Sequence, residues 1–268
     1  MNYHLKIINF MIKPKVLIMS GYGLNCEEET KYAFELAGGI ADIVHINDLI
    51  EGEKKLRDYQ IIAFPGGFSY GDDTGSGNAF ANKIKNHLSE KINRFITENH
   101  LVIGICNGFQ ILAHLDIFPI QFSLTHNDSA RYIVRWVDMK VENDSPWLRG
   151  ISTLSLPIAH GEGKLFADKK TLTTLHKKNM VALKYIEGEI CQYQTLAANP
   201  NGSLEDIAGI TDESGKIFGL MPHPERALSF TNLPHWPYLK EKYMREKKAV
   251  PKIGPGLALF KNAVNYFL

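Results

Sequence analysis

Short, almost wholly apolar runs spaced by helix-like stretches constrain this chain more than any other feature. Val16-Leu17-Ile18-Met19, Ile61-Ile62-Ala63-Phe64, Leu101-Val102-Ile103 and Ile217-Phe218-Gly219-Leu220-Met221 each read as a buried strand, and Ala41 to Ile46 reads as another. Strands with so little polar alternation need cover on both faces, the condition of a parallel sheet wrapped by helices. After the first strand, Asn25 suits a helix N-cap and Glu27, Glu28 and Glu29 suit the first turn. Ala33, Leu36 and Ala37 supply an apolar face, and Gly38-Gly39 a stop. A short charged connection leads to Ile61. Helical segments then run up to Asn99. The expectation is an α/β chain whose Gly21, Gly66 and Cys106 fall at the carboxyl edge of the sheet, where such sheets bind ligands.

The second half changes rhythm. Arg131 to Val141 alternates apolar and polar residues, and Thr153 to Ile158 and Val181 to Tyr185 look like further strands, read as antiparallel additions to the same domain. No Pro/Ser-rich linker or internal repeat divides the sequence. We therefore expect an N-terminal extension at 1–14 and a single domain at 15–268, with an irregular segment at 228–255 and a closing helix from Leu257 to Phe267. The mixed charges of Lys240 to Lys248 suit a solvated helix better than a docking surface.

A net charge of +1 over 268 residues gives no sign of a nucleic-acid or membrane partner. Cys26, Cys106 and Cys191 are odd in number and form no C-x-x-C pair, so neither a disulfide framework nor a metal site is indicated. Phe10-Met11-Ile12 is too short for a signal-peptide core, and no run reaches membrane-spanning length. A cytoplasmic location is expected.

Chemistry concentrates at Gly104-Ile105-Cys106-Asn107-Gly108, between the strand at Leu101 and a helix beginning near Phe109. Small residues around Cys106 permit the sharp strand-to-helix turn of a nucleophile elbow, with sulfur in place of oxygen. A helix N-terminus aimed at the thiol favours its thiolate. A buried structural cysteine is the competing reading, and it leaves the flanking glycines unexplained. Such a nucleophile needs a histidine base and an orienting acid. Pro222-His223-Pro224-Glu225 offers both, the prolines favouring an extended backbone with His223 and Glu225 on one side. His160-Gly161-Glu162 has the same spacing, and His126 precedes the polar Asn127-Asp128-Ser129, so residue geometry leaves the base open. The N–H of Asn107 and the loop Pro65-Gly66-Gly67 are candidate oxyanion donors. Gly71 to Asn78 is glycine-rich without matching a P-loop or dinucleotide pattern. Cys26 begins a helix but has no evident histidine–acid pair, so a structural use is expected.

Taken in order, Pro65-Gly66-Gly67, Gly104 to Gln110 and Pro222 to Glu225 resemble the class I (triad-type) glutamine amidotransferases. Gly66 to Asp72, Asn127 to Tyr132, Ile158 to Gly163 and Gly219 to Arg226 narrow the resemblance to the glutaminase subunits of phosphoribosylformylglycinamidine synthases. The likeness covers nearly all the chain from Lys15. It implies a flavodoxin-like fold, a triad of Cys106, His223 and Glu225, and oxyanion contributions from Gly67 and Asn107. It also implies glutamine contacts at Gly66, Gln110, Asn127, Ser129 and Arg131, with His160 and Glu162 near the site or the partner contact. It implies ammonia delivery to an ATP-dependent synthetase subunit of purine (IMP) synthesis, which would hold ATP and Mg while this chain holds no cofactor. A small accessory subunit would bridge the two. Asp73 to Gly77 replaces a Tyr-Leu-Arg run common in such subunits, and 228–255 extends their usual C-terminus. Service to another synthetase, a stand-alone cysteine hydrolase and a redox module are the alternatives.

Overall fold

The computed structural model describes residues 13–268. The extension expected at 1–14 lies almost wholly outside the described residues. Nine strands form one sheet in the order β2-β1-β3-β4-β11-β10-β9-β6-β7. Its first five are β1 (Lys15–Ser20), β2 (Ile40–His45), β3 (Ile61–Phe64), β4 (Leu101–Ile105) and β11 (Ile217–Leu220). All pair in parallel, giving the doubly wound order of a flavodoxin-like sheet. β3, β4 and β11 are buried at every position, as their apolar runs require. β10 (Ile207–Thr211), β9 (Val181–Ile186), β6 (Ile133–Val141) and β7 (Thr153–His160) extend it in antiparallel pairs. β7 alternates buried and less buried residues, as a strand with one packed face does. β5 (Ser123–His126) and β8 (Glu162–Phe166) make a separate antiparallel pair.

The helices are α1 (Glu27–Leu36), α2 (Ile46–Glu51), α3 (Asn78–His87), α4 (Ser89–Thr97) and α5 (Asn107–His114), followed by α6 (Lys169–Lys177), α7 (Glu189–Gln194), α8 (Trp236–Arg245) and α9 (Leu257–Asn265). α9 closes against α1 through an edge-on Phe34–Phe260 pair at 4.9 Å. α5 lies almost on the sheet because three glycines leave it room. A Cβ on Gly104 would stand 2.6 Å from the Gly108 oxygen, and Cβ atoms on Gly108 and Gly219 would overlap the Phe64 carbonyl and the Phe109 ring. That contact holds the elbow at a fixed height above the strand ends.

Two local expectations are corrected. Asn25 does not cap α1; Cys26 stands at the cap, and the N–H groups of both residues donate to the Gly66 oxygen at 3.2 Å. A tertiary tie to the loop after β3 overrides the local preference. The charged connection after β2 is helix α2, capped by the His45 ring accepting from the Asn47 N–H at 3.2 Å. Histidine is not among the usual capping residues, which hid this start. Within 228–255, α8 is the solvated helix expected there; it buries no residue and carries an Arg245–Glu241 ion pair at 2.8 Å. Phe230 N–H to the Lys252 oxygen and Gly254 N–H to the Leu228 oxygen close the excursion at its base.

Candidate active site

β4 and β11 are parallel neighbours, so their carboxyl ends deliver Cys106 and the Met221-to-Glu225 segment to one place. Cys106 has φ 52° and ψ −108°, a conformation rarely adopted by a residue with a side chain. It is held there by its N–H donating to the Leu220 oxygen at 2.8 Å and by its carbonyl accepting from Phe109 and Gln110 as α5 starts. The thiol is 5% exposed and points toward the Ala159 oxygen, 3.7 Å away.

His223 is fixed through its N–H to the Pro157 oxygen at 2.8 Å. Its Nδ1 and Glu225 Oε1 are 2.5 Å apart, both side chains buried. The pair meets across a tight 3₁₀ turn, Pro224–Arg226, and not along an extended strand as the flanking prolines suggested. Burial works against charge on His223, but Glu225 and then the Cys106 sulfur outweigh it and raise its pKa well above the ordinary histidine value. Nε2 makes no other close hydrogen bond, leaving it available. An imidazole favoured in its charged form thus stands beside the Cys106 thiol.

The oxyanion candidates are also assembled. Leu24 and Gly67 face each other in an isolated bridge, whose bonds run from Asn25 N–H to Gly66 O and from Phe68 N–H to Gly23 O. In that register the Gly67 N–H is left out of the ladder. Gly67 has φ 152°, and a Cβ there would stand 2.6 Å from the Gly23 oxygen. Asn107 opens α5, where backbone N–H groups lack helical partners. Its side chain does what sequence could not reveal. Oδ1 accepts from Ser69 N–H at 3.1 Å, and Nδ2 donates to Asp72 at 3.2 Å and to Gln110 at 2.9 Å, locking the loop after β3 to the elbow.

The remaining predicted residues divide. Gly66 packs against the triad, since a Cβ on it would be 2.7 Å from His223 Cε1. Gln110 is buried, with Nε2 donating to the Glu162 carbonyl at 2.6 Å. Asn127 is buried too, and its Nδ2 donates to the Arg131 and His160 carbonyls at 2.9 and 2.8 Å. Ser129 and Arg131 are exposed on a turn tied by Arg131 N–H to Ser129 Oγ at 3.3 Å. That loop reaches the thiol through Tyr132, whose hydroxyl donates to the same Ala159 oxygen at 2.8 Å. Tyr132 also leans on Phe68, their ring centres 5.9 Å apart.

Of the competing histidines, His126 is exposed beside Glu162. His160 is buried, and its tautomer follows from its neighbour. Asn127 spends both amide hydrogens on carbonyls, so its Oδ1 accepts from His160 Nδ1–H at 3.1 Å, leaving Nε2 as a bare acceptor. Burial, with a smaller push from His223, lowers the His160 pKa to about 3. Such a group is a poor proton carrier at neutral pH.

Its burial has a stability consequence. Between about pH 6.5 and 3 the unfolded chain binds a proton at this residue that the fold excludes, so stability falls as pH drops through that window by about 1.4 kcal/mol per unit. Because the raised His223 pKa works in the opposite direction above about pH 6, urea unfolding at pH 6, 5.5 and 5 is expected to show this loss, and His160→Gln to flatten it by close to one proton.

Cys26, which the sequence left structural, stands in the site. Its sulfur and the ligand atoms of His223 and Glu225 lie within 4.8 Å of one another. Sulfur, nitrogen and oxygen donors suit zinc. Arg226 Nη2 donates to that sulfur at 3.0 Å, however, and Glu225 is committed to His223 Nδ1. A guanidinium already fills the cation's place, so no metal is assigned. No described helix is long and apolar enough to cross a membrane.

A cysteine elbow and a buried histidine–carboxylate pair meet at the carboxyl edge of a doubly wound sheet. A family model for the CobB/CobQ-like glutamine amidotransferase domain matches residues 13–267. The phosphoribosylformylglycinamidine synthase subunit PurQ of Methanococcus maripaludis strain C5 is 50% identical over 95% of this chain and 98% of its own. That of Dehalococcoides mccartyi is 44% identical over 96% and 98%. The structure of PurLQS from Thermotoga maritima superposes with a TM-score of 0.71 at 30% identity, covering 96% of this chain and all of that one. A second Thermotoga maritima glutamine amidotransferase, at 15% identity and TM-score 0.53 over 96% and 98%, shares the fold. The chain belongs to the glutamine amidotransferases and, within them, to the PurQ family.

Proposed function

We propose that this chain is the glutaminase subunit of a phosphoribosylformylglycinamidine synthase and that Cys106, His223 and Glu225 are its catalytic triad. The observation that carries the chemistry is the buried His223–Glu225 bond beside the strained Cys106 elbow. The Cys106 thiolate attacks the side-chain amide carbon of glutamine. The N–H groups of Gly67 and Asn107 receive the oxyanion, in a loop already locked by the Asn107 side chain. His223 gives its proton to the departing nitrogen, a glutamyl thioester forms, and water activated by the same imidazole clears it. Glu225 holds the ring and stabilises its charged form. Gly66 and Gln110 shape the glutamine pocket, and Asn127, Ser129 and Arg131 belong to the loop that closes it.

Ammonia released into water would be protonated and lost as a nucleophile, so the product is useful only to a docked acceptor. The 50% identity to PurQ and the likeness to the PurLQS structure support a synthetase partner of the PurL type. A small accessory subunit completes the complex, and ATP and Mg belong to the synthetase. The test is ammonia release from glutamine with and without that synthetase and its ribonucleotide substrate. Stimulation on the order of tenfold or more is expected. Equal turnover without any partner would instead mark an independent hydrolase.

A further inference from the structure

Cys26 is a buried sulfur that the hydrolysis scheme leaves without a task. It is 1% exposed and immobilised through its own backbone, with N–H to the Gly66 oxygen at 3.2 Å and its carbonyl accepting from the Thr30 N–H and hydroxyl at 3.2 and 2.6 Å. Its sulfur accepts from Arg226 Nη2 at 3.0 Å and lies 3.6 Å from Asn25 Oδ1. The same guanidinium approaches the triad, with Arg226 Nε 3.8 Å from Glu225 Oε1. Gly66 packs between sulfur and imidazole, since a Cβ on it would be 3.2 Å from Cys26 Sγ and 2.7 Å from His223 Cε1.

Arg226 has two anchors and an easy escape. Its side chain is 39% exposed, and water competes well for a guanidinium. Glu225 alone holds it loosely at 3.8 Å, whereas the sulfur contact is direct. We propose that Cys26 is a positioning residue of the glutaminase site: its sulfur pins the Arg226 guanidinium beside Glu225, and that fixed positive charge sets the pH range over which Cys106 and His223 work as a pair. The inference rests on the glutaminase reading above.

The charges facing His223 can be named. Glu225 comes from its own turn, with Arg226 behind it 3.8 Å from the Glu225 carboxylate, Cys106 from the elbow, Cys26 from the entry to α1, His160 from the end of β7 and Tyr132 from the loop before β6. Burial opposes the charge on Arg226, but Cys26 and Glu225 overcome it, with Glu29 of α1 adding a lesser pull, and its pKa is raised. A pinned cation lowers the proton affinity of every neighbour. Removing it raises the point at which His223 loses its proton. The basic limb of the activity profile therefore moves to higher pH.

The experiment uses the full chain and its Cys26→Ala, Cys26→Ser and Arg226→Met variants. The rate of Cys106 carbamidomethylation by iodoacetamide is followed against pH by mass spectrometry of the Cys106 peptide. Glutamine hydrolysis is followed in parallel with the synthetase present. Arg226→Met is expected to shift the basic limb, set by His223, upward by about half a pH unit or more; Cys26→Ala, which frees the cation but also removes the contact by which Cys26 raises the His223 pKa, is expected to shift it upward by less, and the double variant no further than Arg226→Met. Cys26→Ser, which restores an acceptor on a shorter bond, should fall between. The KM for glutamine should change less than kcat at neutral pH. A basic limb that stays in place or moves down, or shifts that add in the double variant, overturn the proposal. If Cys26→Ala does not fold, Arg226→Met, altered at a half-exposed side chain, carries the test alone. A wild-type complex that releases no ammonia would sink the glutaminase reading, while the alkylation profile would still judge the pinned charge.

Discussion

Cys106→Ala is expected to lower glutamine hydrolysis by on the order of 10⁴-fold or more while the chain stays folded. No other described thiol can replace the nucleophile, because Cys26 is engaged by Arg226 and Cys191 lies against the Ile186 carbonyl beyond β9. The loss should appear in kcat, since Gly66 and Gln110, proposed to shape the pocket, do not depend on the sulfur for their position. The synthetase, supplied with high ammonium in place of glutamine, should still make its product in the variant complex. That contrast separates loss of hydrolysis from loss of assembly. Measurable glutaminase activity in Cys106→Ala, above trace, would remove the triad assignment.

The same residue stores strain. At φ 52° and ψ −108° a side chain costs on the order of 1–3 kcal/mol, and the elbow keeps it because β4, β11 and α5 over-determine the turn. Cys106 is thereby held at the N-terminus of α5.

The elbow was legible because its chemistry is local: a run of buried residues, a cysteine between small neighbours and an apolar helix follow one another directly. The strand order was legible for a similar reason, as β3, β4 and β11 declare two-sided burial at every position. The choice of histidine was legible only through the family resemblance. His160 and His223 share a spacing to glutamate, and the residue pattern alone does not tell them apart. Asn127 fixes the His160 tautomer, and burial strips its basicity, whereas Glu225 keeps His223 charged. Cys26 escaped for the same reason. Its meaning comes from Arg226, two hundred residues away, and no pattern near Asn25 announces it. Asn127, expected at the substrate, has its side-chain amide bonded to protein partners, which a polar residue in a loop-like sequence does not reveal.

Gly108→Ala is the structural counterpart of losing the nucleophile. A Cβ at this position would fall inside the Phe64 carbonyl oxygen, and its next neighbour would be the Phe64 carbonyl carbon at 2.6 Å. Neither atom can yield, because Phe64 pairs with Gly104 in the parallel register between β3 and β4. The helix must move instead. α5 would lift from the sheet, taking with it the Asn107 N–H, the Asn107 side-chain bonds to Ser69 and Asp72, and the carbonyl contacts that hold Cys106 in its strained turn. Destabilisation of about 3 kcal/mol is expected from the overlap. Activity in the fraction that folds should fall on the order of 100-fold, since a displacement near 1 Å spoils the alignment of nucleophile and oxyanion donors. Gly52→Ala is the control. Gly52 has φ 84° with nothing within 4 Å of a Cβ, so it bears conformational strain without a clash. It should cost about 1 kcal/mol and leave turnover untouched. Chemical denaturation and single-turnover hydrolysis on both variants decide the matter. If Gly108→Ala behaves like Gly52→Ala, α5 does not sit on the sheet as described, and the elbow's height above β4 is not what fixes the reacting atoms.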